Sequence, residues 1–194
     1  MAISSPSPSG PDCAAAKCIL INGPPAVGKS TLARRYADEH PLALNLDIDQ
    51  IRGLLGCWHD EPTRSGQLAR KIAIAAARVH LAGGHDVVVP QLVARLDFIE
   101  QLEAAARDCG GQFCEVFLLD DKENLQARYR ERGRAHGIAA RRDPVVSTDL
   151  TDAKLAVGYD ELLLVLAARP GTAVIGVRAG ELEQTYRDLL VAVG

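Results

Sequence analysis

Cys18-Ile-Leu-Ile-Asn-Gly-Pro-Pro-Ala-Val-Gly-Lys-Ser30 is the stretch whose reading decides the fold. Its last eight residues, Gly23, Pro24, Pro25, Ala26, Val27, Gly28, Lys29 and Ser30, complete the pattern G-x-x-x-x-G-K-[ST]. The apolar run Cys18–Ile21 before it reads as a buried strand. Thr31-Leu-Ala-Arg-Arg-Tyr-Ala37 after it reads as a helix. In such a loop, successive backbone N–H groups turn inward around phosphate oxygens, and the following helix presents the positive end of its dipole. Gly23 and Gly28 allow conformations and close approaches that a Cβ obstructs. Lys29 reaches the β- and γ-phosphates, and the Ser30 hydroxyl is the expected Mg²⁺ ligand. The segment from Gly23 through Thr31 is therefore expected to bind a nucleoside triphosphate.

The chain has 194 residues, 47% hydrophobic and 24% charged, which suits one globular domain with a substantial core. Lys and Arg number 22 against 25 Asp and Glu, for a net charge of −3. That balance argues against a broad nucleic-acid surface and leaves room for a local cationic site. The five cysteines, at 13, 18, 57, 109 and 114, form no C-x-x-C pair and no zinc-ligand spacing. They read as small buried hydrophobes in a reducing cytosol, which gives a cytoplasmic location as the expectation. No apolar stretch is long enough to span a bilayer. Residues 1–16 read as a disordered Ser/Pro tail without signal-peptide character, and 17–194 as one domain.

From Cys18 onward, apolar β-branched runs alternate with helical patterns. The expected strands are Cys18–Asn22, Ala43–Asp47, Asp86–Pro90, Gln112–Leu119 and Thr172–Val177. The expected helices are Lys29–Glu39, Gln50–Leu55, Gln67–Ala82, Leu96–Asp108, Lys122–Arg132, Leu150–Ala168 and about Gly180–Val191. Strands with little polar alternation, separated by helices, predict an α/β fold. The expectation is a three-layer, doubly wound, five-stranded parallel sheet with helices on both faces. Gly83-Gly84 and Gly110-Gly111 fall where helices stop before strands. Within Gln67–Ala82, the face carrying Leu68, Ile72, Ala75, Ala76 and Val79 is the expected core face.

Ligands of such sheets gather beyond the carboxyl ends of the strands, which selects the residues to examine. Asn45-Leu-Asp-Ile-Asp-Gln-Ile-Arg52 closes the second strand, and on an extended backbone Asp47 and Asp49 face the same side. Asp49 accepts the proton of an attacking hydroxyl, or caps the helix that follows, or does both. Asp47 takes a supporting or Mg²⁺-water role. Arg52, one turn into that helix, points at the same gap and grips a polar or anionic acceptor. At the end of the third strand stands Pro90-Gln91, where an acidic residue is usual, so Gln91 serves the acceptor or a metal-bound water without charge. Arg95 contacts substrate or is an ordinary helix residue. Trp58 stacks on a substrate ring or anchors packing. Arg128 and Arg132, four apart, share a helix face ahead of a Gly-containing segment, about 133–149. The pair suits a mobile lid closing over ATP, or a solvated basic face. Arg178-Ala-Gly180 is a candidate adenine-contacting turn.

With these residues in view, the chain resembles the small P-loop kinases of the nucleoside/nucleotide-kinase-like superfamily. It is most similar to the branch of chloramphenicol phosphotransferase, zeta-toxin kinases and polynucleotide 5′-kinases. The resemblance runs from Cys18 to about Val191 and is carried by the phosphate loop, Asp49-x-x-Arg52 and Arg128-x-x-x-Arg132. It implies that Asp49 is the base on the acceptor hydroxyl, that Arg52 grips the acceptor, and that Arg128 and Arg132 stabilise the phosphates. It further implies ATP and Mg²⁺ as cofactors and a small-molecule hydroxyl, such as that of an antibiotic, as acceptor. A nucleoside-sugar, nucleotide or polynucleotide acceptor is the alternative, and a nucleotide-binding switch without transfer the rival of another class.

Overall fold

The computed structural model describes residues 15–120, 152–178 and 180–194. The expected lid, its arginines Arg128 and Arg132, the helix Lys122–Arg132 and residues 1–14 of the tail lie outside the described residues. Five strands form the sheet: β1 Lys17–Asn22, β2 Leu44–Asn45, β3 Val87–Pro90, β4 Gln112–Leu119 and β5 Ala173–Gly176. The helices are α1 Lys29–Glu39, α2 Ile48–Gly53, α3 Pro62–Ala82, α4 Leu96–Asp108, α5 Asp152–Ala167 and α6 Leu182–Val193. The strand order is β2-β3-β1-β4-β5, and every pairing is parallel.

The central strand explains the layering. Cys18, Ile19, Leu20 and Ile21 are all fully buried, so both faces of β1 are covered and no polar alternation is needed. Cys18 and Leu20 join one core with Val87, Val89 and residues of α3 and α4. Ile19 and Ile21 join the other, with Leu32 and Tyr36 of α1 and Tyr186 and Leu189 of α6. The chain goes from β1 to the edge strand β2 and back to β3 on one side, then to β4 and β5 on the other. The strand order thus reverses beside β1, and a crevice opens beyond its carboxyl end, where the phosphate loop begins.

Several expected element bounds are corrected, among them α2, which runs Ile48–Gly53 rather than Gln50–Leu55. The second strand is only Leu44–Asn45, paired to Val87 and Val88, because a helix already begins at Ile48. The fifth strand is one residue shorter at each end than Thr172–Val177. α3 begins at Pro62 rather than Gln67, with proline in its first turn, where its missing N–H costs nothing.

The face of α3 is also different from the expected one. Ser65, Ala69, Ala73, Ala77 and Leu81 are buried, whereas Leu68, Ile72 and Val79 are 46%, 39% and 78% exposed. The sheet surface and α4 already fill that layer with Leu20, Val87, Val89, Phe98 and Leu102, so the helix docks closely through a stripe of small side chains. Hydrophobicity alone selects the larger residues, and the available volume selects the alanines. Ala73→Leu should accordingly destabilise the fold by about 1–3 kcal/mol through overpacking. Ile72→Ser should stay within about 0.5 kcal/mol. Denaturant midpoints of the two variants check this, and equal losses would refute the assignment of the face.

Candidate functional site

The phosphate loop is built by backbone conformation. Gly23 has φ +142 and Gly28 φ +105, and Ala26 also sits in the left-handed region at φ 62. A Cβ on Gly23 would stand 2.6 Å from the Leu118 carbonyl oxygen of β4, so only glycine lets the loop start against that strand. Gly28 is the N-cap of α1, whose first turn carries neither a side-chain cap nor an acidic residue. Its leading N–H groups therefore have no competing carboxylate of their own helix, which suits a phosphate. Lys29 Nζ lies within the loop, donating to the carbonyls of Gly23 at 2.8 Å and Pro24 at 2.7 Å. Ser30 and Thr31 follow on the exposed first turn of α1.

Asn22, fully buried at the end of β1, ties this loop to the segment after β3. Its Oδ1 accepts from the N–H groups of Gly23 and Val93, and its Nδ2 donates to the Val93 carbonyl. The Gln91 N–H donates to the Ile21 carbonyl at 3.1 Å, so Gln91 is drawn alongside the loop. Asn22 lies next to the phosphate loop in sequence, but its partner Val93 is 71 residues away, so no local pattern marks its role.

Across the crevice, Asp47 is the N-cap of α2: its carboxylate accepts from the N–H of Asp49 at 2.9 Å and of Gln50 at 3.4 Å. The capping job considered for Asp49 thus falls to Asp47. Asp49 is already inside the helix, so Asp47 and Asp49 do not share the side that an extended strand would give them. Asp49 nevertheless meets the residues expected around it. The Gln91 amide, Asp47, Arg52 and Lys29 all stand near enough to act on its charge. Burial, and then the neighbouring Asp47 carboxylate, push the Asp49 carboxyl above the ordinary range. Arg52, the Gln91 amide and Lys29 pull it partly back.

A raised carboxyl binds its proton more tightly in the folded than in the unfolded chain. Stability from this group therefore falls as pH rises through the interval between the ordinary and the raised value. Asp49→Asn should melt higher than the parent at neutral pH, with the gap closing below about pH 4, where both states hold the proton. Melting curves at the two pH values test this, and a variant that melts lower at neutral pH contradicts it.

Arg52 turns its guanidinium toward the start of α3. Nε donates to Ser65 Oγ and Nη2 to the Pro62 carbonyl, each at 3.0 Å, and the group lies 4.7 Å from the Trp58 ring centroid. Trp58 also stacks on His59 at 3.5 Å. Arg52 and Trp58 thus form a packed block joining α2 to α3 beside Asp49, an arrangement that sequence spacing could not reveal. Arg95 is exposed at the N-cap of α4, at the far end of the segment that starts with Gln91. Asp120 is 4% exposed at the end of β4, next to the strand that feeds the phosphate loop. Arg178 and Gly180 are described and exposed, whereas residue 179 of that turn lies outside the described residues.

For Mg²⁺, the donors on offer are hard oxygens: the Ser30 hydroxyl, the nearby carboxylates, and Gln91 Oε1, which is buried without a hydrogen-bond partner among the described residues. Such a set suits an ion that keeps several waters and takes its other ligands from phosphates. No group of three His, Cys, Asp or Glu among the described residues is arranged to hold a metal. No helix among them is long and apolar enough to cross a membrane.

A parallel sheet ordered 2-3-1-4-5 with the loop after its central strand is a P-loop kinase-like fold. The chain belongs to the family described as AAA domain, whose model matches residues 18–153. Solved structures share the fold. A gluconokinase from Sinorhizobium meliloti 1021 is 19% identical over 93% of each chain, with a TM-score of 0.60. The Deinococcus radiodurans tunicamycin resistance protein is 15% identical over 92% of this chain and 97% of its own, with a TM-score of 0.57. Chaetomium thermophilum Kti12 in complex with ADP-AlF3 is 16% identical over 91% and 99%, with a TM-score of 0.56. No protein of curated function shows significant sequence similarity to the chain.

Proposed function

We propose that the protein is an ATP- and Mg²⁺-dependent kinase that moves the γ-phosphoryl group of ATP onto a hydroxyl of a small molecule. The observation that carries this reading is the placement of Asp49. Its carboxylate stands across the crevice from the phosphate loop, within the influence of Lys29 and of the Gln91 amide. A nucleotide-binding switch needs the phosphate loop but has no use for a half-buried carboxylate facing it. A carboxyl lifted from its ordinary range is a better proton acceptor, and proton transfer from the attacking hydroxyl is the chemistry it suits.

In this reading the loop amides from Gly23 to Thr31, with Lys29, hold the triphosphate. The Ser30 hydroxyl, with Asp47 and Gln91 through water, would hold Mg²⁺, which neutralises phosphate charge when bound. Asp49 takes the hydroxyl proton as the new O–P bond forms and the bond to the β-phosphate oxygen breaks. Arg128 and Arg132, just ahead of a lid at about 133–149, close with it over the transferring group. Arg95, Gln91 and the Arg52–Trp58 block border the acceptor. Residues 17–194 act as one cytoplasmic domain behind the tail 1–16. An antibiotic or other natural product is the favoured acceptor class, by analogy with the tunicamycin resistance protein that shares the fold. The net charge of −3 favours such an acceptor over a polynucleotide.

The test is mass spectrometry of a pooled metabolite and antibiotic library after incubation with the protein and Mg-ATP. One compound gaining a single phosphoryl group establishes the kinase and its acceptor. Tight ATP binding with no product from a pool spanning polyols, nucleosides and antibiotics would favour the switch instead.

A further inference from the structure

Asn22 is 1% exposed, and its side chain replaces backbone pairing where β1 gives way to the phosphate loop. Oδ1 accepts from the Gly23 N–H at 2.8 Å and the Val93 N–H at 2.9 Å, while Nδ2 donates to the Val93 carbonyl at 3.0 Å. The two bonds to Val93 form a donor–acceptor pair of the kind that neighbouring strands exchange. This amide rung continues the ladder beyond the bond from the Gln91 N–H to the Ile21 carbonyl. The held segment begins with Gln91, whose amide stands beside the Asp49 carboxylate. An apolar residue at 22 would strand two N–H groups and a carbonyl, all of them buried.

We infer that Asn22 is a positioning residue: it locks segment 91–95 to the phosphate loop, so that nucleotide held by the loop and Gln91 beside Asp49 share one geometry. The inference rests on the nucleotide-binding part of the proposed function and extends it to regulation of the acceptor side. Occupancy of the loop steadies Gly23, Gly23 shares the Asn22 oxygen with Val93, and the order is passed to a segment that need not touch the nucleotide.

Amide hydrogen exchange of the full chain, with and without Mg²⁺ and a non-hydrolysable ATP analogue, tests this. In the unmodified protein the analogue should slow exchange across 23–31 and also slow 91–95 by about five- to tenfold, the effect of one or two hydrogen bonds on local opening. In Asn22→Ala, protection at 23–31 should persist while the response at 91–95 disappears, a pattern that simple loss of stability would not produce. Protection of 23–31 without any response at 91–95 in the unmodified chain overturns the inference, whether or not the variant folds. A folded variant that keeps the full response at 91–95 overturns it as well. Absence of protection at 23–31 in the unmodified chain is a different result, which overturns nucleotide binding itself and the inference with it.

Discussion

Asp49→Asn should lower the rate of phosphoryl transfer by about 10²–10⁴-fold, the range expected for removing a positioned base. The substitution keeps size and keeps an oxygen for the Gln91 amide, and it does not touch the Asp47 cap, whose partner is the backbone N–H of residue 49. Nucleotide affinity should therefore change by no more than about twofold, so that the loss sits in kcat. The parent's rate should fall at acid pH as Asp49 gains its proton. Because burial and Asp47 raise that carboxyl, the acidic limb lies above the ordinary carboxylate range. Isothermal binding of an ATP analogue and single-turnover transfer on the acceptor from the library screen supply the two numbers. Transfer surviving in the variant would remove Asp49 from the mechanism.

Gly23→Ala should damage both the fold and the nucleotide site. The new Cβ meets the Leu118 carbonyl oxygen at 2.6 Å, and φ +142 is a conformation that L side chains rarely adopt. Relief requires moving either β4, a neighbour of the central strand, or the start of the phosphate loop. The expected cost is about 3 kcal/mol, from overpacking and the unfavourable φ together. Melting should drop by roughly 6–12 °C for a chain of this size. The rise in melting temperature that Mg-ATP gives the parent should shrink or vanish, because the loop amides no longer converge. Thermal unfolding with and without Mg-ATP measures both effects. A variant with the parent's melting point and the parent's response would show that β4 yields easily and that the close approach is unimportant.

The phosphate loop was legible because its information is local. A strand, eight residues of loop and a helix specify their own backbone, and the glycines and Lys29 fall where that backbone needs them. The parallel sheet was legible for a related reason, since strands buried on both faces must be apolar at every position. The pairing of Asp49 with the loop was also expected, although by way of a strand that ends two residues earlier than Asp47. Asp47 makes the cap, the helix starts, and Asp49 reaches the crevice from its first turn.

Sequence by itself determined the class of fold, the phosphate loop and the neighbourhood of Asp49, because near neighbours in the chain dictate backbone geometry. Only the tertiary structure decided which face of α3 is buried, since Ala73 and Ile72 differ in what the opposing layer has room for. It also set the Arg52 guanidinium against Ser65 and Trp58, where it finds hydrogen bonds and a ring in the turn between two helices. Above all it joined Asn22 to Val93, 71 residues apart. A buried amide must find partners wherever the sheet brings them, and the order of the strands, which no local pattern encodes, set which segment lay beside it.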